Sequence, residues 1–375
     1  MQRVLLFRSE LLPISETFIA AQAGAMQQFD PWFAGVKRVR NGIELDESRV
    51  TTVTRDNRLQ DKILRRIYTR IGISPRFFCE IENVKPALIH AHFATDACAA
   101  LPIQSHLEIP LVVTLHGYDV TSSDDVLSRS DIGRLYLRRR ERLWDQASVF
   151  FCVSEHIHGA AMERGFPKDK LWVHRIGVDI SASRQEPASA CEPIVLFVGR
   201  LVEKKGCAHL LRAMTVVERA LSDCRLVILG DGPLRPALEM QACCTLHRYE
   251  FLGAQPAKVV RDWMQRARVL VAPSVVAASG DSEGLPIALC EAQAMGLPVV
   301  GFRGPGVCEA VTDGETGMLV RQRDERALAD AILAVLRDDG LANDMGSAGA
   351  QRARLHFNLG AQTRLLEEKY REVLR

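Results

Sequence analysis

Short runs of β-branched and leucine residues alternate with longer amphipathic stretches along nearly the whole chain. Apolar runs bounded by turn residues predict buried strands, and the stretches between them, apolar at every third or fourth position, predict helices. In the first half the runs at 4–7, 87–90, 111–115, 149–153 and 171–174 read as strands; in the second half, those at 194–198, 225–229, 249–252, 269–272, 298–301 and 317–319. Strands that alternate with helices in this way form parallel sheets covered on both faces. The pattern therefore predicts an α/β protein of two doubly wound, Rossmann-like sheets. Ligands of such sheets bind beyond the carboxyl ends of the strands, which makes a cleft between two facing domains the expected site. Residues 41–76 are rich in charge and read as a mobile loop followed by a helix.

Between the two sets of strands lies a polar tract of small residues, 181–193, which is the best linker in the chain. It predicts an N-terminal domain over 1–186 and a C-terminal domain over 187–359, with a helix over 360–375 packing back on the first. Two domains are also what 375 residues suggest.

Composition narrows the function classes. With 47% apolar and 25% charged residues and a net charge of +2, the chain has the balance of a soluble globular protein. It lacks the basic excess of a dedicated nucleic-acid binder. Its ten cysteines show no paired Cys-x-x-Cys spacing, so reduced thiols and a cytoplasmic setting are expected. The opening run Met1 to Phe7 is broken at once by Arg8, Ser9 and Glu10 and reads as a strand, not a signal peptide. No apolar window is long enough to span a membrane.

The most informative stretch runs from Ser282 to Glu291. It sets Glu283 just before an expected helix and Glu291 inside it, with Gly284 allowing close backbone approach and Pro286 suited to the first helical turn. The free amides of that turn, near Leu285, Pro286 and Ile287, would face an anion. Two hydroxyl-binding acids on either side of an anion site match the layout of a sugar nucleotide. The bland alternative is a surface helix with two solvated glutamates. Earlier, Gly199-Arg200-Leu201-Val202-Glu203-Lys204-Lys205-Gly206 follows a strand, and Arg200 with Lys205 could grip a diphosphate from two directions. Both could equally be solvated cations. Gly230-Asp231-Gly232-Pro233 follows another strand and reads at least as a tight turn.

In the first half, His116 follows an apolar strand in Thr114-Leu115-His116-Gly117-Tyr118-Asp119. It could donate to a substrate hydroxyl or phosphate, with Asp119 orienting a polar group, or it could simply bond to backbone. His90 and His92 share a strand face, but no third metal ligand has an obvious place. Ser154 reads as a helix N-cap. The stretch 134–144 is basic and apolar; a solvated helix packing Leu135, Leu143 and Trp144 inward is the favoured reading, and attachment to an anionic membrane the sharper one. A dinucleotide fingerprint, a Walker lysine motif and a nucleophile elbow are all missing from the sequence. So is an Asp-x-Asp pair, with Asp281-Ser282-Glu283 the nearest approach, which leaves charge neutralisation to Arg200, Lys205 and helix amides.

Taken together, these motifs resemble the retaining glycosyltransferases of family 4, which have the GT-B architecture. The likeness rests on Gly199-Arg200-Leu201, Lys204-Lys205-Gly206, Gly230-Asp231-Gly232-Pro233, Phe251-Leu252-Gly253, Pro273-Ser274, Glu283 through Glu291, Ala294 through Val300, and Gly314-Glu315-Thr316-Gly317, in family order. In the first half, Ser15-Glu16-Thr17-Phe18-Ile19, His90-Ala91-His92-Phe93, His116 to Asp119 and Cys152 to Glu155 resemble the branch that builds bacterial exopolysaccharides, of the colanic-acid type. The glycine pair that many members carry after the first strand is replaced by Leu11-Leu12-Pro13-Ile14-Ser15.

The resemblance implies a metal-independent hexosyltransferase without cofactor, acting between a nucleotide-sugar donor and a saccharide or lipid-linked saccharide acceptor, with peripheral membrane contact in prospect. Glu291 would accept bonds from ribose hydroxyls and Glu283 would contact the transferred sugar. Arg200, Lys205 and the amides near Gly284 to Ile287 would hold the diphosphate, Gly199 and Gly230 are further donor-binding candidates, and backbone at Leu252 and Gly253 would border the base. His116 would face the sugar near the reacting carbon, and Ser15, Glu16, His92, Tyr118, Asp119 and Ser154 are acceptor-side candidates. Two other readings stay open: an epimerase or phosphorylase on the same fold, and a sugar-nucleotide sensor that binds without turnover.

Overall fold

The structure is a computed structural model that describes residues 1–40, 42–54, 59–181 and 191–375. Most of the expected linker, 182–190, lies outside the described residues. The chain divides into two compact units, Met1–Gly177 with Leu359–Arg375, and Val178–Asn358.

In the first unit seven strands form one parallel sheet: β1 (Gln2–Leu11), β2 (Phe29–Arg38), β3 (Val50–Thr54), β4 (Pro86–His92), β5 (Leu111–Leu115), β6 (Val149–Cys152) and β7 (Leu171–Val173), in the order β3-β2-β1-β4-β5-β6-β7. Every residue of β5 and β6 is buried, as expected for strands covered on both faces. The order reverses at β1, so the crevice beyond the ends of β1 and β4 is the natural place for a ligand.

Two strands, β2 and β3, escape the sequence pattern. In Phe29-Asp30-Pro31-Trp32-Phe33-Ala34-Gly35-Val36, both Pro31 and Gly35 speak against a strand. The proline is tolerated because β3 joins β2 only from Phe33, so Pro31 has a strand neighbour on one side alone. Gly35 allows close approach to β1, since a side chain there would strike the Arg8 carbonyl at 2.4 Å. The expected loop over the start of 41–76 is corrected accordingly: it contains β3, Val-Thr-Thr-Val-Thr, polar in composition but β-branched throughout.

The C-terminal helix Leu359–Val373 belongs to the first unit. Its Tyr370 and Leu366 are fully buried, and the Glu367 carboxylate accepts from the amides of Gln27, Gln28 and Phe29 at 2.9, 2.7 and 3.0 Å.

The second unit carries β8 (Ile194–Val198), β9 (Arg225–Leu229), β10 (Tyr249–Gly253), β11 (Val269–Ala272), β12 (Val299–Phe302) and β13 (Gly317–Val320), all parallel, in the order β10-β9-β8-β11-β12-β13. Its switch point is β8 and β11. Helices Cys207–Ala220 and Glu325–Arg337 pack against the sheet through Leu210, Met214, Val217, Leu328, Ile332 and Val335, one core with the strand residues Val195, Phe197 and Ile228. Among the described residues no helix is long and apolar enough to cross a membrane, and no disulfide forms.

Candidate functional site

In the second unit the site residues cluster beyond the ends of β8, β9, β10 and β11. The chain leaves β8 at Gly199 and makes a short 3-10 turn, Glu203–Lys205. Gly206, left-handed at φ +64°, then starts the helix Cys207–Ala220. That turn aims two lysines at the segment before helix Ile287–Ala294: Lys205 Nζ lies 2.7 Å from Glu283 Oε1, and Lys204 Nζ lies 2.9 Å from Asp281 Oδ1. Ser274, just past β11, donates to the same Glu283 oxygen at 2.9 Å. Burial raises the carboxyl pKa, but Lys205, Lys204 and the Ser274 bond outweigh it, so Glu283 sits below the usual glutamate range and is ionised at neutral pH.

Glu291 is the opposite case. Eight residues on, within helix Ile287–Ala294, its carboxylate has no hydrogen-bond partner among the described residues, and burial pushes its pKa up to about 7 against a weak pull from Arg261. A half-buried acid without a partner has acceptor capacity left for donors. The helix begins at Ile287, with Pro286 at the N-cap instead of in the first turn as expected. No side chain caps that end, so its first amides are available. Arg200 is exposed and has no partner among the described residues, whereas Lys205 is already paired with Glu283; the expected pair of diphosphate cations is thus unequal in its present commitments.

Three backbone turns meet at the strand ends. Gly199 N–H donates to Leu229 O at 3.0 Å and Gly230 N–H to Gly253 O at 2.8 Å. Gly230 has φ +146°, and a side chain there would meet the Gly199 carbonyl at 1.9 Å, so only glycine lets the β8 and β9 turns close up. Gln255 Nε2 donates to Leu252 O at 2.5 Å, which ties down the edge expected to border a base.

In the first unit the ends of β1, β4 and β5 carry a dense polar network. Arg8, expected to break the first strand, continues it and binds both Glu16, with Nε to Oε2 at 2.8 Å, and Asp96. Burial works against the Arg8 charge, but Asp96 and Glu16 outweigh it and keep it protonated. The guanidinium also stacks over the Phe93 ring, with Cζ 4.3 Å from its centroid. Phe93, with φ +70°, is strained for a side-chain-bearing residue, and its ring lies 4.4 Å from that of His116.

His116 Nε2 is 3.1 Å from His92 Nδ1, which leaves Nδ1 as the atom of His116 available to a ligand. Burial lowers both rings well below the usual histidine range, so both are neutral at pH 7. For His116 Nδ1 to donate, its Nε2 must accept from His92 Nδ1–H; His92 Nε2 is then a buried acceptor without a partner.

Four acceptor-side expectations, Asp119, Ser154, His92 and Glu16, are corrected by burial. Asp119 is fully buried, and its carboxylate accepts from the amides of Ala94, Gly117 and His116 at 2.8, 3.0 and 3.2 Å. It shapes the His116 loop and cannot meet an acceptor. Ser154 is fully buried and caps helix Glu155–Glu163, accepting from Ile157 N–H at 3.2 Å. His92, only 2% exposed, supports His116 rather than facing solvent. Glu16 is buried on Arg8, whereas Ser15 is exposed and Tyr118 half-buried. Sequence reading missed Arg8 and Asp96 altogether: 88 positions separate them, and no local spacing links them. His90 is spoken for by Tyr370 Oη at 2.5 Å and Thr114 Oγ1 at 2.7 Å.

A family model described as glycosyl transferases group 1 matches residues 192–338, and one described as glycosyltransferase family 4 matches residues 34–182. The chain belongs to these glycosyltransferases. It is 33% identical over 252 residues to WcaL of Escherichia coli, a glycosyltransferase named for colanic acid biosynthesis; the match covers 65% of this chain and 60% of WcaL, so the chain spans less than two thirds of that relative. It is 27% identical over 290 residues to the amylovoran biosynthesis glycosyltransferase AmsK of Erwinia amylovora, covering 75% of this chain and 68% of AmsK. The fold of this family member is GT-B: HepE of Anabaena, solved with UDP and glucose, superposes with a TM-score of 0.77 over 99% of both chains at 18% identity.

Proposed function

We propose that this protein transfers a hexose from a nucleotide-sugar donor to a saccharide or lipid-linked saccharide, in the synthesis of an exopolysaccharide or other cell-surface glycan. The observation that carries the reading is the contrast on one short segment: Glu283 buried and fixed by Lys205 and Ser274, and Glu291 half-buried and without a partner among the described residues in the helix whose first turn is uncapped. Glu291 would take the ribose hydroxyls, Glu283 the transferred sugar, and Arg200, Lys205 and the amides around Leu285 the diphosphate. His116 Nδ1 would serve a sugar hydroxyl near the reacting carbon. The names of WcaL and AmsK support the glycan setting, and the UDP and glucose bound to HepE support the donor class.

Breaking the bond between sugar and phosphate makes the sugar oxocarbenium-like and adds charge to the leaving diphosphate. Fixed cations and amides stabilise that growing charge without reorganising. We propose that they do so without a metal; Asp281, the nearest acid to a metal-diphosphate motif, is engaged by Lys204. Retention of anomeric configuration, with the leaving phosphate taking the acceptor's proton, completes the proposal. So does reversible attachment to a membrane from the cytoplasmic side, through the basic face of helix Asp131–Gln146.

The test is a melting screen against nucleoside diphosphates and their sugars, followed by assay of acceptor-dependent diphosphate release. A ligand that binds only the folded form raises the melting temperature. Stabilisation with no acceptor-dependent release would favour the sensor, and release of an isomerised or phosphorolysed sugar without acceptor would favour the epimerase or phosphorylase. Inversion at the anomeric carbon, read by NMR, would refute retention.

A further inference from the structure

We infer that helix Leu59–Ile71 and the groove beside it dock on an anionic lipid bilayer. This deepens the membrane-attachment reading above and rests on it, but it assigns the apolar contact to an element that reading does not involve. The helix is anchored to its domain through Tyr68, whose hydroxyl donates to Ala99 O at 2.7 Å and whose ring meets Phe77 edge-on at 5.4 Å. Its aliphatic residues do not follow. Ile63, Leu64, Ile67 and Ile71 are 54, 48, 38 and 62% exposed, and Ile73 just beyond is 54% exposed. At 3.6 residues per turn the four helical positions fall within an arc of about 100°. A helix on the surface of a domain normally turns such a stripe inward, so a continuous one left in water marks an interaction face.

What lies next to the stripe decides the partner. Lys62, Arg65, Arg66 and Arg70 of the same helix, with Arg134, Arg138 and Arg139 of helix Asp131–Gln146, line a groove of about 960 Å³. Among the described residues Asp131 is the one acid in that lining, and Arg134 binds it at 2.5 Å. The cations are a local concentration, since the whole chain carries only +2. A nucleic acid would use the cations and leave the aliphatic stripe wet. A protein partner or a second copy would have to supply a carboxylate-rich face and an apolar one side by side. A bilayer with phosphate-bearing headgroups supplies both at once, with acyl chains for the isoleucines and headgroup charge for the arginines.

The experiment is flotation of the full chain with phosphatidylcholine vesicles, with and without phosphatidylglycerol, at low and high salt. We expect binding to the anionic vesicles that weakens with salt. Relative to the unaltered chain, Ile67→Asp with Ile71→Asp, and separately Arg66→Glu with Arg138→Glu, should each lower the bound fraction at least about tenfold. Melting temperature and nucleoside-diphosphate binding should not change in either variant, because none of these residues lies in the donor site. Vesicle binding that both variants retain would overturn the assignment of this surface while leaving membrane attachment standing. No binding at low salt would overturn both, and neither result bears on sugar transfer. Concentration-dependent self-association that Ile67→Asp abolishes, without vesicle binding, would identify a second copy as the occupant. A melting shift with inorganic phosphate but no vesicle binding would reduce the groove to a simple anion site; either result overturns the proposal.

Discussion

The polar residues beyond the strand ends of the two units are built on different terms. In the first unit most are satisfied from within, Asp119 by three amides, Ser154 by a helix end, His90 by Tyr370 and Thr114, Arg8 by Glu16 and Asp96, while Ser9 Oγ, His92 Nε2 and Ser122 Oγ stay buried without a partner among the described residues. In the second, unused bonding capacity remains at Glu291, at Arg200 and at the uncapped start of helix Ile287–Ala294. A network whose charged groups are committed to one another holds a shape, and His116 Nδ1 is what that shape presents. A cluster with capacity to spare holds a ligand. Residue type alone does not separate the two, because both units use acids and cations at the same places in the same topology.

The largest test of this contrast is Lys205. Lys205→Met removes one of the cations proposed to stabilise the leaving diphosphate, and turnover should fall about 10²–10³-fold. It also strands Glu283 in a buried place, for which breaking a buried pair costs up to about 3–5 kcal/mol, less here because Lys205 is partly exposed. Adding Glu283→Gln should recover much of the melting temperature but none of the turnover. If the single variant keeps its turnover, the second unit's cluster is as structural as the first unit's.

Backbone geometry offers the next test. Gly206 follows Lys205 at φ +64°, and a methyl group there would lie 1.8 Å from the Pro273 carbonyl, the residue before Ser274. Gly206→Ala must push β8's loop away from β11 and should cost about 3 kcal/mol or more in a urea melt. Gly314, at φ +78°, has nothing within 4 Å of the same position. Gly314→Ala should cost only the left-handed strain, about 1 kcal/mol. Equal losses would mean that the close approach of the loop does not matter.

Those two positions also show what the sequence could and could not say. The glycines, Lys205 and the Glu283 to Glu291 segment are legible because the chemistry lies within one loop or one helix turn, where spacing along the chain is spacing in space. The parallel sheets were legible for the same reason, strand by strand, in fully apolar runs such as Leu111 to Leu115. What failed was whatever depends on a distant partner. Pro31 in β2 is acceptable only because β3 begins late, and Arg8 continues a strand only because Asp96 and Glu16 take its charge. Asp119 has the residue type of a polar site and the burial of a frame, and burial is not written in local sequence; the N-cap reading of Ser154 holds because its partner, Ile157, lies three residues on.

Acid should separate the units further. Burial lowers the pKa of His90 to about 3 and of His174 to about 4, from an ordinary 6.5. Between those values the unfolded chain binds protons that the folded chain does not, so the stability these rings contribute is present above pH 6.5 and is lost as pH falls toward 4. Hydrogen exchange at pH 7.5 and pH 5 should show protection falling in β4, β5 and β6 before it falls in β8, β9 and β11. Protection lost first in the second unit would contradict the burial of these neutral rings.

The smallest effect, and the most specific, belongs to Glu291. Its pKa of about 7 lies above the ordinary 4.5, so the folded state holds a proton that the unfolded state has released between those values. Stability must therefore decline as pH rises from 4.5 through 7, the reverse of the histidines' effect. Glu291→Gln removes this decline, and the ligand-free variant should melt slightly higher than the parent at pH 8 but not at pH 4.5. Nucleoside-diphosphate binding should move the other way, because an amide cannot replace a carboxylate that accepts two hydroxyl bonds. A residue kept at some cost to the empty fold and recovered only when a ligand arrives is what an unfilled site predicts. A variant that gains stability and loses no affinity would make Glu291 an accident of packing.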